Sequence, residues 1–139
     1  MKKIILMAVL LTLISTRLTF GQTKVYTDNI PNVSFCTAVN INDTIKYADL
    51  VKCDELTQPY KELKIKSFTF SYSIPSSENK DEQLFVDYSN IGSKLNKQIL
   101  DVLKTLEAKK VKKILIEQVV ILEADGTERK MKGIIINLT

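Results

Sequence analysis

The chain has no histidine and no tryptophan in 139 residues, and only four glycines, three prolines and two cysteines. Each shortage excludes a class of chemistry. Without histidine there is no imidazole acid or base, no serine or cysteine triad of the usual kind and no histidine-ligated metal site. Cys36 and Cys53 alone cannot supply a four-thiolate zinc site. None of the glycines falls in a GxGxxG or GxxxxGK[ST] pattern, so no phosphate loop is expected. The carboxylate pairs Asp54-Glu55 and Asp81-Glu82 lie in polar segments with no tryptophan to wall a sugar cleft, and they read as solvated loop charges. No SxxK motif includes Ser67, Ser71 or Ser73, and nothing near them but a lysine could activate a hydroxyl. The expectation is a chain that is not an enzyme, with no catalytic residue, cofactor or metal.

What the chain does have begins at its amino end. Lys2 and Lys3 precede an apolar run, Ile4 to Ile14, broken only by Thr12, and Thr19 and Gly21 are small residues at the −3 and −1 positions. This is the pattern of a secretory signal peptide cleaved before Gln22. The apolar run is well short of the roughly 20 residues that span a bilayer, and no later run approaches that length, so no stable membrane insertion is expected. Residues 1–21 form the expected leader, and export to the periplasm or beyond is the expected location. Lys2, Lys3 and Arg17 leave with the leader, so the 20 basic residues of the whole chain become 17 against 16 acidic ones. At that balance no nucleic-acid partner is expected. An oxidising compartment permits a Cys36–Cys53 disulfide, the favoured reading, with two free buried thiols as the alternative.

The rest reads as one domain, with residues 22–62 (N-terminal strands and a linking segment) packed onto residues 63–139. Gln22 to Asp28 is a strand or arm, Asn29 to Asn32 a turn, and Val33 to Val39 alternates like a strand. Thr44 to Leu56 suits a short helix or a strand and loop. The segment KIKSFTFSYS, within a strand expected over Leu63 to Ile74, has Lys66, Phe68, Phe70, Tyr72 and Ile74 on one face and Ser67, Thr69, Ser71 and Ser73 on the other. The aromatic face should be core. The hydroxyl face, Ser67, Thr69, Ser71 and Ser73, should meet solvent or a protein partner. A further strand is expected over Leu84 to Tyr88. Leu95, Ile99, Val102, Leu103 and Leu106 then form the stripe of an amphipathic helix over Lys94 to Ala108, with Ser93 as N-cap and a basic run, Lys109 to Lys113, at its solvated end. Asp125-Gly126 predicts a tight turn between Lys112 to Leu122 and Glu128 to Leu138. Strict alternation over the first arm puts Ile114, Ile116, Val120 and Leu122 on one face and Leu115, Val119 and Ile121 on the other. The expected class is mainly β (α+β): an immunoglobulin-like β-sandwich-type domain with one amphipathic helix and a C-terminal β-hairpin.

The order of these parts resembles a known family. Ser67-Phe68-Thr69, the loop Ser89-Asn90-Ile91-Gly92, the helix Leu95 to Leu106, Ile116-Glu117 and the turn Asp125-Gly126-Thr127-Glu128-Arg129-Lys130 are similar in kind and spacing to the C-terminal domain of GldM, the gliding-motility and type IX secretion protein of Bacteroidetes. Ile41 to Leu56 resembles the segment just upstream, so the likeness spans Ile41 to Leu138. GldM proteins also carry a transmembrane helix and several periplasmic domains. Here a leader and a counterpart of the last unit are what is expected, and Lys130 to Gly133 stands where the family has a proline-rich approach to the final strand. The resemblance implies a non-enzymatic periplasmic immunoglobulin-like module that binds protein partners, secretion-ring components among them. The alternative is a small exported regulator or inhibitor that mimics the domain. Separately, strands apolar on both faces need cover from the helix and a second sheet or from another chain, so a homodimer through β-strands is a further expectation.

Overall fold

The computed structural model describes residues 33–39 and 42–139. The expected leader, the strand or arm at Gln22 to Asp28 and the turn at Asn29 to Asn32 lie outside the described residues. The elements run β1 (Ser34–Phe35), β2 (Asp43–Ile45), α1 (Tyr47–Leu50), β3 (Leu56–Thr57), β4 (Lys64–Pro75), β5 (Gln83–Ile91), α2 (Lys97–Leu103), β6 (Lys113–Leu122), β7 (Glu128–Met131) and β8 (Ile134–Leu138). The protein is mainly β, of the α+β class. A six-stranded sheet has the order β2-β8-β6-β4-β5, with β7 also paired to β6. β8 and β7 share one side of β6: β8 pairs with its first half and β7 with its second. All pairings in this sheet are antiparallel except β2 with β8. A two-stranded ribbon, β1 with β3, makes the second sheet. The layer facing the large sheet is thus ribbon and helix rather than another large sheet.

β4 is the centre of the core. Phe68, Phe70 and Tyr72 are at most 3% exposed, as the alternation requires. Phe70 lies between Phe35 of the ribbon and Tyr72, each ring centroid 6.5 Å away. Leu95, Ile99, Leu103 and Leu106 of the helical stripe are all buried in the same core.

Alternation fails at two places, and both are bulges. The β4–β6 register slips between Ile65 and Ser67 and again between Ser67 and Thr69. On β4 the first slip brings Ile65 into the core and leaves Lys66 exposed. On β6 the second falls at Gln118, whose φ is +50°. The extra residue reverses the faces of everything after it. Ile114, Ile116, Val119 and Ile121 are therefore all fully buried, while Leu115, Val120 and Leu122 are half-buried on the opposite face. The expected grouping of Val120 and Leu122 with Ile114 is corrected by that one residue. β8 needs no such correction, since Ile134, Ile136 and Leu138 alternate inward without a break.

The helix is shorter than its stripe, and its cap is Asn96 rather than Ser93. The Asn96 side chain accepts the Ile99 N–H at 3.0 Å. Turns continue from α2 to Lys110, whose φ is +54°. There Lys110 N–H donates to Glu107 O at 2.9 Å and Val111 N–H to Leu106 O at 3.0 Å. This is a Schellman stop, with buried Leu106 and Val111 making its apolar contact. The hairpin turn also differs from a two-residue type. Glu123 N–H bonds Thr127 O at 2.9 Å and Gly126 N–H bonds Glu123 O at 3.0 Å, so the loop is Ala124–Gly126. Only Gly126, at φ +85°, needs the left-handed region; Asp125 instead accepts the Thr127 N–H on its carboxylate at 2.8 Å.

Candidate functional site

A sheet that closes on nothing has edges, and their chemistry differs. At one end β2 offers three residues. The outer side of β7 carries Glu128, Arg129 and Lys130, charges of the kind that discourage further pairing. β5 is different. It is nine residues long and, among the described residues, pairs only with β4. Lys66 O accepts the Gly92 N–H at 2.7 Å and Glu82 O accepts the Ser76 N–H at 2.8 Å, which sets the hydrogen-bonding phase of the β4–β5 ladder. In antiparallel pairs the bonded positions alternate. Leu84, Val86, Tyr88 and Asn90 therefore bond back to β4. The main-chain groups of Gln83, Phe85, Asp87, Ser89 and Ile91 point away from the sheet.

The far end of this edge is already occupied. Asn96, the helix cap, donates from its amide to Ser89 O at 2.9 Å. Asn90 is buried and holds the turn behind it. Its amide nitrogen donates to Gly92 O at 3.0 Å and Lys94 O at 2.9 Å, and its oxygen accepts the Asn96 N–H at 2.8 Å. The open part of the edge is thus Gln83 to Asp87. Leu84 is 48% and Phe85 62% exposed, on opposite faces of that stretch. Exposed apolar residues on a long edge strand, with one charge among them, mark a place where another strand can add.

Beside the open stretch, Tyr72 and Tyr88 stack with centroids 6.3 Å apart. Lys109 donates to the Tyr72 hydroxyl at 3.2 Å and lies 5.4 Å from its ring centroid. Burial and the neighbouring Tyr72 hydroxyl push the Tyr88 phenol above its ordinary pKa. Lys109, read in the sequence as part of a solvated helix end, thus packs on an aromatic pair.

The residues singled out in the sequence fall in three places. Cys36 and Cys53 form a disulfide, Cα–Cα 5.4 Å, that ties the tight turn Phe35–Ala38 to the residues after α1. Asp125 and Gly126 sit in the hairpin loop described above. Ser67, Thr69, Ser71 and Ser73 do share one face of β4, but that face is not an open row of hydroxyls. Ser71 is 1% exposed with no hydrogen-bond partner for its hydroxyl, and the other three are half-buried. Cross-strand neighbours Asp87 and Leu115 flank Ser71 and stand taller than it does. Leu84, Phe85 and Asn96 were not singled out from the sequence. The consecutive apolar run Leu84-Phe85-Val86 was the available signal, because a strand apolar on both faces needs cover on both.

A concavity of about 510 Å³ lies open between Tyr60, Glu62, Leu63 and the hairpin residues Glu123, Ala124, Asp125 and Arg129. Glu123 and Arg129 of its lining form an ion pair with each other. Among the described residues no three or more Cys, Asp or Glu side chains are grouped to hold a metal, and no helix is long and apolar enough to cross a membrane. No family model matches the chain, and no curated protein matches it.

Proposed function

We propose that the chain is a non-enzymatic protein-binding or assembly module of the bacterial envelope, exported to the periplasm, with a role akin to that of the GldM C-terminal domain it resembles. The gliding and type IX secretion machinery is the assembly in which it would work. The observation that carries the binding part of this reading is the open β5 edge, with Leu84 and Phe85 exposed on its two faces. Main-chain groups on such an edge supply affinity, and alternate side chains supply selectivity. The secretory pattern at residues 1–21 and the disulfide are compatible with an exported protein.

A photo-cross-linking residue in place of Phe85, in cells that express the protein natively, tests the reading. The expected result is a discrete protein adduct at position 85 and none when the same residue replaces Lys130 on β7. An adduct containing a secretion-ring component would place the chain in that machinery. Equal labelling at both positions, or none at either, would overturn the assignment of β5 as the contact surface.

A further inference from the structure

The hydrogen-bonding groups left open on β5 also constrain what can pair with it. We infer that the occupant of the β5 edge is a second copy of this chain, added antiparallel about a two-fold axis at Phe85. This rests on the reading of β5 as a contact surface and names its partner.

The argument is one of register. Among the described residues, Gln83, Phe85 and Asp87 are the edge positions with both main-chain groups outward and unbound, because Asn96 already occupies Ser89 O. A two-fold axis at Phe85 pairs Phe85 with Phe85 of the second copy and Gln83 with Asp87 of the second copy, in both directions. Every open N–H and C=O of the stretch is then satisfied. An axis at Asp87 would set two carboxylates against each other and direct a strand onto the blocked Ser89 carbonyl. Axes at Leu84 and Val86 are also in phase, but the first sets Asp87 opposite Asp81, again two carboxylates, and the second sets Gln83 opposite Ser89, whose carbonyl is taken, so neither satisfies all three residues.

The side chains agree with the same register. On the face of Ser71 and Ser73, the 62% exposed Phe85 meets its own copy, and Gln83 can donate from its amide to the Asp87 carboxylate. On the core face, the 48% exposed Leu84 stands opposite the half-buried Val86 of the second copy. Leu84 and Phe85, the exposed apolar groups of the open stretch, lose that exposure in one step. The self-match is isologous and therefore closes as a dimer instead of growing into a fibre.

Sedimentation equilibrium of the purified chain, with variants at position 83, tests this. The wild type should sediment as a dimer. Gln83→Lys should face Asp87 twice and tighten the dimer by about tenfold, since each opposite-charge cross-strand pair contributes up to about 1 kcal/mol. Gln83→Asp should loosen it by about the same factor. Phe85→Lys should give a folded monomer, as checked by circular dichroism. A dimer indifferent to all three substitutions would use another surface and overturn the proposal. A wild-type monomer would overturn it too. If position 85 still cross-linked to a different protein in cells, the reading of β5 as a contact surface would stand without it.

Discussion

At the scale of the residue, burial and backbone angle decide what a side chain is worth. Phe70 is fully buried between Phe35 and Tyr72. Phe70→Ala should cost about 3–5 kcal/mol, because the ring's transfer energy is lost and a cavity remains. Urea denaturation would show this as a lower midpoint at unchanged slope. Gly126 is a different case. A Cβ there would touch nothing within 4 Å, so any penalty comes from the φ of +85° alone. Gly126→Val should therefore cost about 1–3 kcal/mol. An unchanged melting temperature would show that the loop can adopt another turn. Gly133 has the opposite problem, since a Cβ would lie 2.3 Å from Ile116 O. Its role is close backbone approach to β6 where the chain passes from β7 to β8.

At the scale of the element, the ends matter more than the middles. The α2 segment stops at Lys110, a non-glycine in the left-handed region, where a Schellman motif favours glycine. Lys110→Gly should raise stability by about 0.5–1 kcal/mol, read as a higher melting temperature. No change, or a loss, would mean that Lys110 makes a compensating contact. The start of α2 has two roles. Asn96 caps the helix and also closes the Ser89 carbonyl on the β5 edge. One side chain thus sets where the helix begins and how much of the neighbouring strand stays open.

At the scale of the whole molecule, the ribbon β1–β3 is a small element with a large task. It brings Phe35, fully buried, onto the core face of β4, yet only Ser34–Thr57 and Phe35–Leu56 pair within it. The Cys36–Cys53 bridge, 17 residues apart in sequence, closes that region covalently. Replacing both cysteines by serine should lower stability by about 3 kcal/mol on the chain-entropy account of such a loop. Thiol labelling of the denatured, unreduced chain checks the premise: no sulfhydryl should react, and two reactive thiols would show the bridge does not form. The two halves set out from the sequence, 22–62 and 63–139, are joined in this core wherever they are described, through Phe35, Ile45, Leu50 and Leu56 on one side and β4, α2, β6 and β8 on the other.

Sequence alone determined the features that depend on neighbours along the chain. Phe68, Phe70 and Tyr72 could be assigned to the core by period two, the stripe from Leu95 to Leu106 by helical spacing, and Gly126 to a turn by its freedom at positive φ. Each is a local rule acting over a few residues. The tertiary structure decided what depends on partners brought from far away. The bulges at Lys66 and Gln118 arise because β4 and β6 must match register across the sheet, and a single extra residue reverses which of Val119 and Val120 is buried. Lys109 reaches Tyr72, and Asn96 reaches Ser89, only once α2 lies beside β5. The openness of β5 is likewise no property of Gln83 to Asp87 themselves. The same residues in a central strand would have both sets of main-chain groups satisfied, and strand order, not sequence, put them at the edge.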